Sequence, residues 1–161
     1  MSTSINPPGA VGFPLREWTH IEPGARDLAG DFVAHLATVF VLDYPEDIRE
    51  LVNAGRVLDE MLLRVPLYNY DRVKDYFNRP LLDIFELAEC VGLDGIEEIL
   101  AWSLSTLEGG TLEPEPSTSL VKIFGGCVGW NSEPSDPLDL ASLVFLSTIA
   151  VYNKTLNNTG E

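Results

Sequence analysis

Asp27, Asp31 and His35 are the residues whose types and spacing come closest to a catalytic site. They lie four residues apart in a predicted helix, so their side chains form a row on one face. Carboxylate and imidazole groups in such a row bind a divalent metal ion when another helix supplies a further carboxylate, such as Glu86 or Glu89. A small metal-dependent hydrolase is therefore one alternative for the function.

The same row also has an ordinary structural explanation. Asp27 lies in the first turn of the predicted helix, where the helix dipole favours an acid, and His35 falls beside Leu28, where a half-buried imidazole is common. The chain has no His-Glu-x-x-His, Cys-x-x-Cys or Gly-x-Ser-x-Gly motif and no phosphate-binding Gly-rich loop. We therefore predict a protein that is not an enzyme and that has neither a metal ion nor a cofactor.

Charge is the most informative feature of the composition. The 161 residues include 25 Asp and Glu against 10 Lys and Arg, which gives a net charge of -15. Residues 81–121 contain no Lys or Arg at all. Because phosphate contact depends on clustered Lys and Arg, direct nucleic-acid binding is disfavoured. The acidity favours a protein partner with a basic surface, and solubility or a saline habitat is the alternative explanation.

Part of this acidity has a local explanation and part is a surplus. Asp83, Asp94 and Glu97 fit capping or first-turn positions of predicted helices. We predict that the surplus includes partner-binding residues, namely Glu86, Glu89, Glu98 and Glu108.

A second predicted binding surface surrounds a short helix in which cations and aromatic residues alternate. Tyr and Arg are the residue types in which binding energy most often concentrates. Lys74 and Tyr76 belong to this cluster, in which the predicted protein-binding residues are Arg64, Tyr68, Tyr70, Arg72 and Arg79. The alternative is that the arginines only pair with Asp71 and Asp75.

The element expected to organise the fold is a helix from Asp136 to Tyr152. Asp136 is placed to cap it, Pro137 suits the first helical position and Asp139 lies in the first turn. Apolar residues cover its whole circumference, so we expect neighbours on every side. The run is shorter than the about 20 residues that a membrane span needs. Its mid-helix polar residues can bond to a carbonyl one turn earlier, and they are Ser142, Ser147 and Thr148.

Apolar residues at helical spacing predict further helices before this one. The first is expected at Ala25 to Leu42, and the second follows a capping pair of Asp43 and Glu46 and runs to Val65. The next three are expected at Asn69 to about Asn78, at Pro80 to Gly92, and from Asp94 to a stop at Gly109 and Gly110. Residues 119–129 fit a sixth helix by their spacing. Gly125, Gly126 and Gly129 leave a short strand as the alternative there.

These elements predict a single all-α domain over residues 25–161, a bundle of six or seven helices around the buried C-terminal helix. Residues 1–24 contain too many Pro and Gly for regular structure, and we interpret them as an extended arm. Cys90 and Cys127 lie among apolar neighbours, which favours small buried side chains over a disulfide.

The stretch from Val65 to Ile96 resembles the end of BTB-type adaptor domains. The resemblance consists mainly of amphipathic spacing in and after a short helix. Such domains need strands before this stretch, whereas residues 25–65 are predicted to be helical, so the chain is not assigned to that family.

Together these features predict a non-enzymatic, acidic, protein-binding component, which is a subunit or adaptor of a larger assembly such as a virion. A small inhibitor or immunity-type protein that covers a basic partner is the alternative within the same class. The N-terminus has neither a basic start nor an apolar run, so we expect a cytoplasmic or virion location. No membrane partner is expected, and a homo-oligomer is compatible with the sequence.

Overall fold

A computed structural model describes residues 24–42, 49–65, 70–76, 78, 80, 82–110 and 115–159, and every structural statement below concerns these residues. They form seven α-helices, a short 3-10 helix at Lys74–Tyr76, and no strand. In chain order the helices are α1 Ala25–Leu42, α2 Arg49–Arg64, α3 Tyr70–Val73, α4 Ile84–Val91, α5 Leu93–Leu107, α6 Thr118–Val128 and α7 Pro137–Thr159.

The predicted all-α single domain is confirmed in these ranges. The predicted arm, up to residue 23, and the capping pair of Asp43 and Glu46 lie outside the described residues. The alternative of a strand at residues 119–129 is wrong, because Thr118–Val128 is helical and Ser117 caps it by accepting a hydrogen bond from the Leu120 amide.

Two helices, α5 and α7, share the centre of the fold. α5 packs against α1 on one side and against α7 on the other, and α4 and α6 also contact both. The residues from Gly95 to Leu104 explain this position, since all but Glu97 and Glu98 are buried. Small Ala101 and Ser103 allow the close approach, and Ser103 Oγ donates to the Ala141 carbonyl of α7 at 2.8 Å.

The predicted central helix is longer and slightly less enclosed than expected. α7 extends to Thr159, whereas its predicted end was Tyr152, and Leu138 is 39% exposed. Thr155 explains the extension, because its buried hydroxyl donates to Val151 and accepts from the amide of Ile84 on α4. Among the described residues, no helix combines the length and the apolarity that crossing a membrane requires.

Two helix starts differ from the prediction. α4 begins at Ile84 and not at Pro80, because Asp83 forms a capping box with Glu86: each side chain accepts a hydrogen bond from the other residue's backbone amide. α5 follows after the single residue Gly92, which ends α4 and begins α5 with a φ of 82°. Asp94 is therefore inside the first turn of α5 and does not cap it.

Cys90 also departs from the prediction, since it is exposed on α4 while Cys127 on α6 is half-buried. Its apolar sequence neighbours indicated burial, but α4 is only two turns long and directs Leu87 and Ala88 inward. Cys90 therefore lies on the solvent face that Glu86 and Glu89 share.

Candidate functional site

The residues of the row Asp27, Asp31 and His35 have separate surroundings in the structure. Asp27 Oδ2 accepts a hydrogen bond from the Gly24 amide at 3.1 Å, while Asp31 is exposed. His35 Nδ1 lies 2.6 Å from Glu50 Oε1 and so links α1 to α2. Within the described ranges, no three Asp, Glu, His or Cys side chains are grouped as a metal ion requires.

Arg72, a predicted binding residue, connects α3 to the start of α7. Its Nη2 donates to Asp139 Oδ2 at 2.9 Å and lies 3.5 Å from Asp136 Oδ2. The hydrogen bond to Asp139 is also the main cause of the raised pKa of Arg72. Asp139 is 8% exposed, so the pair holds a buried carboxylate at the first turn of α7. This matches the alternative in which the arginine serves the fold, although its carboxylate partners differ from the expected Asp71 and Asp75.

Arg64 and Glu108 were predicted as separate binding residues, and the structure pairs them with each other. Arg64 Nε donates to Glu108 Oε2 at 2.7 Å, which joins the end of α2 to the end of α5. Tyr68, Arg79 and the side chain of Tyr70 lie outside the described residues, so their assignment stays a prediction.

The acidic residues of α4 and α5 divide into two groups. Glu86 belongs to the capping box of α4, and Glu108 is the partner of Arg64. Glu89, Asp94 and Glu98 are exposed, and no ion pair engages them within the part of the chain that is described. These three carboxylates, named here the α4–α5 carboxylates, remain available to a partner.

A cleft that the sequence did not predict lies where α5 ends and α7 begins. It has a volume of about 400 Å³, and its apolar lining comes from Trp102, Pro134, Pro137 and Leu140. Trp102 and Pro134 are buried and form the floor, while Pro137 and the carboxylates of Glu115 and Glu133 are exposed at the rim. We call this site the Trp102 cleft.

The wall that carries Glu133 and Pro134 is fixed by backbone hydrogen bonds. The amide of Asn131 donates to the Tyr76 carbonyl at 2.9 Å, and its side-chain Nδ2 donates to the Asp75 carbonyl at 3.0 Å. At the other end of the segment, Asp136 caps α7 by accepting from the Leu138 amide at 2.9 Å. The short loop between Asn131 and Asp136 is thus held at both ends.

The electrostatics of the Trp102 cleft favour a cation. No Lys, Arg or His is found among the described residues that line it, whereas Glu115 and Glu133 both carry a carboxylate there. The C-terminal end of α5 adds negative partial charge from its last carbonyls, and no basic residue in its last turn offsets this. A cationic group that enters the cleft therefore meets negative potential from three sources.

The shape and chemistry of the cleft fit a long basic side chain. The methylene groups of Lys or Arg pack on apolar walls such as Leu140 and the two prolines, while the charged end reaches the rim carboxylates. A guanidinium group also interacts favourably with an indole ring such as that of Trp102. A cleft of this volume, with an open rim, suits one or two side chains of a larger ligand.

A larger surface depression of about 520 Å³ is a weaker candidate. Its lining residues all belong to α2 and carry both signs of charge, including Arg56, Asp59 and Glu60. A single helix does not enclose a ligand, and Arg64 at one end of the depression is already paired with Glu108.

Only one weak indication of the Trp102 cleft is present in the amino-acid sequence. Glu115 lies in the acidic stretch 81–121, but nothing singled out Trp102 or Glu133, which come from segments about 30 residues apart. Comparison of the chain with protein-family models, with curated proteins and with solved structures finds no match.

Proposed function

We propose that this protein is a non-enzymatic binding component that recognises a basic segment of a partner protein. The observation that supports this most strongly is the Trp102 cleft, whose lining includes the buried Trp102 and the exposed Glu115 and Glu133. No Lys, Arg or His occurs among the described residues that line it. In this proposal an Arg or Lys side chain of the partner is the anchor and occupies the cleft.

The α4–α5 carboxylates have a different role in the proposal. Glu89, Asp94 and Glu98 are exposed, so water screens them and each contributes little to the affinity of a formed complex. Together with the net charge of -15 they attract a basic partner over a distance and raise its association rate. The cleft then determines how long the partner stays.

A subunit or adaptor of a larger assembly, such as a virion, is the context that we propose for this binding. A second copy of the same chain is a poor occupant of the cleft, because two molecules of charge -15 repel each other. An inhibitor or immunity-type protein would use the same surface, and identification of the captured partner by mass spectrometry distinguishes the two roles.

The proposal is tested by nuclear magnetic resonance with an arginine-rich hexapeptide that has blocked ends. We expect its addition to shift the amide signals of residues 102–110 and 133–140 and the indole signal of Trp102. The control is a peptide of the same length in which glutamine replaces arginine, and it should cause no shift. Shifts confined to α4 and the first turn of α5, or no shift with the arginine peptide, would show that the cleft does not bind cations.

A further inference from the structure

The outward face of α2 carries a row of exposed side chains that combines apolar and charged residues. Positions spaced i, i+4, i+7 and i+11 fall within about 60° of a helix circumference, because successive residues are about 100° apart. In α2 these positions are Val52, Arg56, Asp59 and Leu63, and all of them are exposed. The buried residues of α2 lie on the opposite side of the helix. We call the four exposed residues the α2 stripe.

Leu63 and Arg56 of the α2 stripe are both available to a second molecule. Leu63 is 89% exposed, which makes it the most exposed large apolar side chain among the described residues. Arg56 is followed by Asp59 and Glu60 at helical spacing, yet within the described ranges no ion pair engages it. The surface around these residues forms the depression of about 520 Å³ on α2, which has room for side chains of a partner helix.

The order of the α2 stripe along the helix is self-complementary. When two copies of one helix pack antiparallel about a two-fold axis, the contacts are reciprocal. An axis midway between Arg56 and Asp59 places each Arg56 opposite Asp59 of the second copy. Val52 and Leu63 have the same midpoint, so the same axis places each Val52 opposite Leu63 of the second copy. Two central ion pairs are thus flanked by two apolar contacts, over about 16 Å of helix.

We propose that the chain forms a symmetric homodimer in which the α2 stripes of two copies pack antiparallel. The charge of α2 suits this contact, because its three Arg balance its three Asp and Glu although the whole chain has a net charge of -15. At ~0.15 M salt the Debye length is about 8 Å, so the repulsion between the distant charges of the two copies is screened while the ion pairs in contact persist. A single helix pair buries a small area, so we expect a weak and reversible dimer.

The first experiment is analytical ultracentrifugation of the full-length chain at ~0.15 M salt over a wide range of protein concentration. We expect a monomer–dimer equilibrium that Arg56→Asp weakens about 10-fold or more, because it places like charges opposite each other. Lys122→Asp on the exposed face of α6 changes the net charge equally and should leave the equilibrium unchanged. A wild type that stays monomeric into the millimolar range, or equal effects of the two variants, would overturn the proposal.

A charge exchange tests the antiparallel pairing itself. Arg56→Asp and Asp59→Arg should each fail to self-associate, because both central pairs then join like charges. An equimolar mixture of these two variants should form a heterodimer, because both central pairs then join opposite charges. The double variant that carries both changes should regain the homodimer. Circular dichroism verifies that the variants keep the helical fold, and a mixture that does not associate would overturn the pairing. None of these readouts depends on binding at the Trp102 cleft.

Discussion

Neighbouring glycines in α6 should respond in opposite ways to the same substitution. An added Cβ at Gly125 would meet Cε3 of the Trp130 ring and lie 2.8 Å from its Cζ3, whereas Gly126 has nothing within 4 Å of that position. The Trp130 ring has little freedom to move, because its Nε1 donates to Ser147 Oγ at 2.9 Å and its edge packs on Phe124. We predict that Gly125→Ala destabilises the protein and that Gly126→Ala stabilises it.

The magnitudes follow from three contributions. Forcing a methyl group against the fixed indole ring costs about 1–3 kcal/mol, and losing the hydrogen bond to Ser147 costs about 1 kcal/mol more. Replacing a helical glycine by alanine gains about 1 kcal/mol at either position. The net change in the free energy of unfolding is therefore a loss of about 2 kcal/mol for Gly125→Ala and a gain of about 1 kcal/mol for Gly126→Ala.

The measurement is urea unfolding of the wild type and the two variants, followed by circular dichroism. Each variant is the matched control of the other, since both place the same methyl group in one helix at adjacent positions. If Gly125→Ala proves as stable as Gly126→Ala, Trp130 does not pack as described.

Two further predictions concern the caps and the core. Asp83→Ala should lower the free energy of unfolding by about 1 kcal/mol in the same assay, because the capping box is lost. The control Glu89→Ala on the same helix should change the free energy of unfolding by less than about 0.5 kcal/mol. Equal effects of the two variants would contradict the assignment of Asp83 as the cap. Tyr152→Phe should cost about 1 kcal/mol at pH 7, because the buried hydroxyl donates to the Leu51 carbonyl at 2.7 Å. Burial, the main cause, raises the pKa of Tyr152 above 10, so the folded protein binds this proton more tightly than the unfolded chain. The resulting stabilisation is complete below pH 10 and is lost as pH rises through the pKa of the folded state. In thermal unfolding above pH 10, Tm should therefore fall less steeply with pH for Tyr152→Phe than for the wild type. An equally steep fall of Tm in both proteins would contradict the pKa shift.

Local patterns predicted the helices because the information lies within a few residues. Asp136 caps α7 and Pro137 begins it as expected, since both preferences depend only on the first turn. The glycines of α6 made its prediction as a helix ambiguous, but each has a structural reason. Gly125 leaves room for the ring of Trp130, which a Cβ would meet, and Gly129 ends the helix with a φ of 81°. Such reasons become visible only when the packing is known.

The candidate site was much less predictable than the helices. Arg72 and Arg64 look like free binding residues in the sequence, but their carboxylate partners, Asp139 and Glu108, are distant in the chain. The Trp102 cleft combines the end of one helix with the start of another. The spacing of residues within one segment does not indicate which distant segments lie side by side. The packing of the helices and the hydrogen bonds of Asn131 determine this.

The most direct test of the proposed function is the kinetics of binding to the arginine-rich hexapeptide, measured by surface plasmon resonance across ionic strength. Two double variants remove the same charge: Glu115→Gln with Glu133→Gln at the cleft, and Glu89→Gln with Glu98→Gln at the α4–α5 carboxylates. We predict that the cleft variant dissociates about 10-fold faster, which corresponds to ~1.4 kcal/mol, while the other variant mainly associates more slowly and with a weaker salt dependence. Equal changes in the dissociation rates of the two double variants would contradict it.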